Sequence, residues 1–328
     1  MTHSVSACRR ALLVFAALAA PLAVAPAHAA DRPPLRVILP VSPGSGVDVI
    51  VRSVGPALSA KLGGQAVVIE NLPGAGGITG TAALVKAAPD GNTIAFVSNN
   101  HAVNPSVYKK MPYDSLADIA PISIVGATPF VLVVNPTKLP AKDAKELAAL
   151  LKARPGAYNL ASSGNGTIIH LAGEMVVDAM GVDVKHVPYK GVGPQLTDLI
   201  GGQVEMGVVA LPAVQGHLKS GALRAIGVMG SQRVASLPDV PTIAEQGFPG
   251  VDIAGWFVVV GPAKLPPAQV KRVHDAVVAA FGAPDVKAAM AKQENVIAPM
   301  TPEQSSAFMA TEQDRYARLA KKADIKLD

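Results

Sequence analysis

Residues 35–48 hold the first chemistry in the chain: an apolar run, a loop of Pro, Gly and Ser, then a helix start. Val37, Ile38 and Leu39 read as a buried strand, and Pro40 and Pro43 end it. Gly44 and Gly46 free the backbone, and a helical pattern begins near Val47. A glycine loop between a strand end and a helix N-terminus collects unpaired N–H donors and the positive end of the helix dipole. Its natural guest is an anion. Asp48, at the helix start, reads first as an acid facing the dipole and second as a ligand contact.

The same chemistry recurs after other apolar runs. Gly74, Ala75, Gly76 and Gly77 follow one strand pattern; Ser98, Asn99, Asn100 and His101 follow another. Ser162, Ser163, Gly164, Asn165, Gly166 and Thr167 follow a third, and Tyr189, Lys190 and Gly191 a fourth. Small hydroxyl- and glycine-rich loops at equivalent strand ends can build one pocket of neutral donors.

Enzyme motifs fit less well. The first loop lacks the Lys-Ser/Thr ending of a phosphate-binding P-loop, and residues 74–80 place the third glycine of a dinucleotide fingerprint one position late. No Gly-x-Ser-x-Gly elbow occurs. His170 lies within a turn of Thr167, so Ser163 with His170 as base is the alternative: a secreted serine hydrolase or transferase. His101, His170, His186, His217 and His274 are dispersed, so no metal site and no cofactor is expected.

The elements that carry these loops alternate. Strand-like runs at 36–41, 66–70, 93–98, 130–135, 158–162, 184–188, 206–211, 223–229 and 257–261 are separated by helical stretches at 49–62, 78–87, 141–153, 168–180 and 194–200. That alternation predicts parallel sheets with helices on both faces. Three consecutive helices follow, at 267–281, 285–293 and 302–323, with Pro266, Pro284 and Pro302 near their starts. Segments 130–135 and 257–261 both end at a proline and bracket about 120 residues. They read equally as crossovers between two lobes or as ordinary sheet strands.

Composition sets the boundaries. In 328 residues the apolar share is 50%, aromatics only 4% and charged residues 16%, so the core is built from Ala, Val, Leu and Ile. Arg9 and Arg10 precede an apolar run, 11–25, and Ala27, His28 and Ala29 form a small-x-small cleavage site. Export through a signal peptide cleaved after Ala29 is expected; the arginine pair leaves open which export route is used. Pro21 and Pro26 and the run's shortness argue against a membrane anchor. Removing the two arginines leaves 27 basic against 24 acidic residues, with no Lys/Arg block to bind nucleic acid. Cys8, the only cysteine, falls in the removed segment.

In chain order, several stretches resemble the Bug family, the substrate-binding receptors of tripartite tricarboxylate transporters. They are residues 43–48, 70–77, 89–91, 104–105, 112–114, 161–167 with 170–172, 186–191, 237–242 and 301–303. The resemblance implies an α/β, two-lobe periplasmic-binding-protein fold of the Venus-flytrap, type II kind. Signal peptide 1–29 would precede lobe 1 (30–130 and 257–328), with lobe 2 at 131–256. It also implies a monomeric periplasmic receptor, not an enzyme, that takes a small carboxylate, aromatic acid or amino acid. The receptor would pass it to a membrane permease, or report it to a sensor protein.

By matching positions the first lobe would offer Ser42, Gly44, Ser45, Gly46, Ala75, Gly76, Ser98 and Asn99. The second would offer Ser162, Ser163, Gly166, Thr167 and His170, with Tyr189, Lys190 and Gly191 nearby. Ser42, Ser45, Val47 and Leu72 depart from the family's usual residues, so the pocket wall differs and no ligand can be copied across.

Overall fold

Two buried sheets share one long strand. In the computed structural model residues 32–327 are described; the expected signal peptide, with Arg9, Arg10, Cys8 and the cleavage point after Ala29, lies outside them. The chain begins β1 (Leu35–Leu39), α1 (Gly46–Lys61), β2 (Val67–Asn71), a 3-10 turn (Ala75–Gly77), α2 (Ile78–Val85), β3 (Thr93–Ser98) and α3 (Asn100–Val107). Then comes β4 (Ile119–Val134), followed by α4 (Ala144–Ala153), β5 (Asn159–Ser162), α5 (Ile168–Met180) and β6 (Lys185–Pro188). Next are α6 (Val192–Gly201), β7 (Met206–Ala210), α7 (Leu211–Lys219) and β8 (Arg224–Val228). The chain returns through β9 (Ala254–Pro262) to α8 (Pro267–Phe281), α9 (Pro284–Lys292), β10 (Val296–Ile297) and α10 (Pro302–Lys322).

The strand order is β2-β1-β3-β9-β4-β7-β5-β6, with β8 and β10 also pairing β4. As the helical crossovers require, β1 runs parallel to β2 and β3, and β5 parallel to β6 and β7. The sheets are mainly parallel, as expected, and the strands that connect the two halves are the antiparallel ones. β9 is antiparallel to β3 and β4, and β4 is antiparallel to β7 and β8.

β4 shows why. Its first part pairs β9 from Ile119↔Pro262 to Pro129↔Ala254, and its second, Phe130 to Val134, pairs β7 and β8. The register against β9 shifts between Pro121 and Ser123 and again between Ile124 and Gly126. Such bulges suit a strand with a proline that cannot donate. The segment read from sequence as 130–135 is therefore the second half of a strand that serves both sheets.

Side chains alternate into separate cores. On β4, Val131 and Val133 join Leu199, Val209 and Val214, whereas Leu132 and Val134 join Leu147, Leu160 and Val208. On β9, Phe257 and Val259 meet Phe96 and Phe281; Trp256 and Val258 face the other way. Both faces of each sheet are covered, which is why the strands read as continuous apolar runs. Helix starts follow their caps. Asp143, Thr167 and Thr301 accept bonds from the third residue beyond them, and Thr301 with Gln304 completes a capping box.

Candidate functional site

A cavity of about 580 Å³ lies where the strand-end loops meet. Ser42, Ser45, Gly46, Ala75, Gly76, Ser98, Asn99, Ser163, Thr167, Tyr189, Lys190 and Gly191 line it. Gly44, Ser162, Gly166 and His170 do not; each makes a hydrogen bond within the loop and helix start that carry it.

The first loop is braced by a carboxylate. Ser45 caps α1, its hydroxyl accepting from the Asp48 N–H at 3.3 Å. Asp48 reaches back to accept from the Gly44 N–H (2.9 Å), and also from Arg52 Nε (2.9 Å) and Asn71 Nδ2 (2.9 Å). Asn71 donates to the Val41 carbonyl as well, at 3.1 Å. Burial alone would raise the Asp48 carboxyl. The Arg52, Gly44 and Asn71 hydrogen bonds outweigh burial and hold it below its ordinary value of 3.8.

The glycine run at 74–77 needs its residues. Gly74, Gly76 and Gly77 have φ of +131°, +62° and +94°, and Ala75 holds φ +46°. The alanine's left-handed backbone costs about 1–2 kcal/mol. At the end of β3, Asn99 is fully buried and ties three elements together. It donates to the Ala254 carbonyl (3.1 Å) and Tyr316 Oη (2.6 Å) and accepts from the Trp256 N–H (2.8 Å).

The second loop is braced without charge. Thr167 caps α5, accepting from the His170 N–H at 3.3 Å, and its own hydroxyl donates to the Gly164 carbonyl at 2.8 Å. His170 Nδ1 accepts from the Gly166 N–H at 3.1 Å. Its ring stacks on His186, centroids 3.7 Å apart and planes 5° apart. Nε2 of His186 meets Ser162 Oγ at 2.6 Å. Burial first, then the neighbouring His170, push the His186 imidazole down from 6.5 to about 4, with Glu174 opposing.

Ser163 donates to Thr167 Oγ1 at 3.3 Å. With His170 Nδ1 taken by Gly166, these two residues form no nucleophile–base pair. Among the described residues no cluster of three or more His, Asp or Glu could hold a metal ion, and no helix is long and apolar enough to cross a membrane.

The two sides of the cavity touch. Asn100 Oδ1 accepts from the Ile168 N–H, the first of α5, at 2.7 Å. Gly46 faces Ala210, whose Cβ would lie 3.0 Å from an added Cβ. Gly191, at φ +112°, faces Ser42, whose Oγ any side chain there would have to displace.

Sequence reasoning missed the cavity floor of Thr128, Phe130 and Trp256, along with Tyr108 and Ala210. The floor comes from strand interiors, which carry no loop signal. Ala210 did have one: it ends a strand just before Pro212 in the first turn of α7.

The family model for the tripartite tricarboxylate transporter family receptor matches residues 50–325. Protein BugT of Bordetella pertussis is 38% identical over 297 residues, 90% of each chain. The solved periplasmic binding protein BugD is 30% identical and superposes with a TM-score of 0.86, covering 90% of this chain and 99% of its own. A structure of R. palustris Rpa4515 with adipate gives 29% identity and a TM-score of 0.86, over 90% and 99% of the two chains. The chain therefore belongs to the tripartite tricarboxylate transporter receptor family, with a two-lobe binding-protein fold, and is a solute-binding receptor, not an enzyme.

Proposed function

We propose that the protein captures a small organic anion in the periplasm, between lobes formed by residues 30–130 with 257–328 and by 131–256. The monomer then delivers the anion to the membrane subunits of a tripartite transporter. Mono- and dicarboxylates, aromatic acids and amino acids are the ligand classes to compare.

One observation carries this reading. Six helices, α1, α2, α3, α5, α6 and α7, start at the cavity: Gly46, Gly77, Asn100, Ile168, Val192 and the α7 cap Ala210 all line it. Each start presents backbone N–H groups and a positive dipole end. No Asp or Glu is among the lining residues, and Lys190 is their one cation. Such a wall favours negative charge and penalises positive charge.

Charge-assisted hydrogen bonds contribute about 1.5–3 kcal/mol each, so a few to one carboxylate support about micromolar affinity. Ligand bridging both sides would favour closure, and the closed form would present the surface a permease recognises. The test is a thermal-shift and calorimetry panel on ligand-stripped protein. It would span succinate, malate, adipate, benzoate, terephthalate, aspartate and glutamate, with ethylamine as the cationic control. At least one anion should raise the melting temperature saturably while the amine does not. Silence across all the anions overturns the reading.

A further inference from the structure

We propose that His170 and His186 are positioning residues: a stacked neutral pair that holds the 162–167 loop in its ligand-ready shape and releases it on acidification. The inference rests on the cavity being the ligand site, and it deepens that reading.

The hydrogen bonds fix the His170 tautomer. His170 Nδ1 accepts from the Gly166 N–H, so its proton sits on Nε2, which faces Glu174 Oε1 at 3.4 Å. Ser162 Oγ meets His186 Nε2 at 2.6 Å and lies 3.2 Å from both the carbonyl oxygen and the N–H nitrogen of Gly164, so a neutral His186 bonds it in either tautomer. His170 carries its one proton on Nε2, and both rings are neutral. Between them they grip the loop at Ser162 and at Gly166, leaving Ser163, Gly164, Asn165 and Thr167 on the cavity wall.

Adding a proton undoes this at two points. On His170 it must go to Nδ1, the acceptor for Gly166, so protonation sets two donors against each other. On either ring the new charge lies against a partner 3.7 Å away, so the stack tolerates one charge poorly and two not at all. Glu174, on the same helix as His170, is the acidic group that acts on the pair; the loop contributes only a hydroxyl and an N–H. Lys185, next to His186 on β6, is exposed and points to the opposite face of the strand. Burial and the second imidazole outweigh Glu174.

The experiment uses full-length mature protein and needs no ligand. Imidazole and backbone-amide NMR spectra are followed from pH 7.5 to 3.5. The His186 ring should stay neutral well below 6.5, and the Gly164 and Gly166 amides should shift with the midpoint of the pair. Exchange protection at Gly166 should fall about three- to tenfold, the worth of one hydrogen bond.

H170N keeps an acceptor at the position of Nδ1, and H186Q keeps a hydrogen-bonding group at that of Nε2, but neither titrates. The double variant should hold the loop at pH 7.5 as wild type does and lose the pH response. H186A should loosen the loop at every pH. Loop amides in wild type that ignore pH, or a double variant that keeps the transition, would overturn the proposal. The carboxylate panel stands or falls separately, because these readouts are taken without ligand.

Discussion

The two sides of the cavity use one device with different chemistry. In each, a strand runs into small residues, a hydroxyl residue caps a helix, and the third helical residue reaches back to the N–H before the cap. On the first side the cap is Ser45 and the returning group is the Asp48 carboxylate, 2.9 Å from the Gly44 nitrogen. On the second the cap is Thr167 and the returning group is His170 Nδ1, 3.1 Å from the Gly166 nitrogen. Asp48 is neutralised by Arg52 and steadied by Asn71. His170 is backed by another imidazole. One side stays ionised and fixed across ordinary pH. The other is held by neutral imidazoles, and burial with the neighbouring ring pushes His186 down to about 4.

The largest effect on this pairing should come from crowding the places where the sides meet. Gly191→Val puts a side chain where Ser42 Oγ stands and strains a backbone at φ +112°. Gly46→Val drives methyls into Ala210. Calorimetry with any anion the panel identifies should show at least about a hundredfold loss for each, roughly 2.7 kcal/mol. Far-ultraviolet circular dichroism should stay unchanged, because neither residue packs in a core. Retained affinity in both would mean that the sides need not meet to bind.

Next comes the first brace. Asp48→Ala removes the acceptor for Gly44, Arg52 and Asn71 at once and should cost about 2–3 kcal/mol in urea unfolding. The acid dependence has a definite sign. The folded carboxyl lies below 3.8, so its stabilisation is complete above that value and is lost as pH falls through the folded value. His186 differs. Its folded value, about 4, is depressed below 6.5, so the unfolded chain takes up a proton first. Stability is unaffected above 6.5 and declines as pH falls from there towards 4. Urea midpoints from pH 7.5 to 4.5 should therefore decline in wild type and less in H186Q. Equal slopes would remove the contrast between the sides.

How much of this was readable beforehand follows from what each residue signals locally. The bounds of α5 and α8 were read as they stand, because Thr167 with Gly181 and Pro266 with Gly282 mark their ends. α3 was missed: Asn100, Asn104 and Pro105 argue against a helix, and only packing against α10 and the sheet sustains it. The first half of β4 was missed because Pro121, Gly126 and Pro129 interrupt its pattern, although its pairing with β9 bulges beside Pro121 and Gly126 and continues in register through Pro129. At the site, loops rich in Gly and Ser announced themselves. The His170–His186 stack did not, since its members are sixteen residues apart on a helix and a strand, and no spacing rule joins them. Strand-borne floor residues such as Phe130 and Trp256 look in sequence like any other core positions.

The smallest effect concerns the bond that spans the two sides. Asn100 Oδ1 occupies the first N–H of α5, a donor that would otherwise face the cavity. Asn100→Ala frees that donor and removes a link between the sides, with opposite consequences. The link is worth about 1 kcal/mol, so its loss shifts the balance towards the open form. The freed N–H becomes available to an anion's carboxylate and returns part of that cost on binding. The net change in affinity should stay within about fivefold, but the free protein should become measurably more expanded in small-angle scattering. Once saturated with anion, it should match wild type. A variant that is no more open when empty would show that Asn100 serves α5 as a cap and does not latch the sides together.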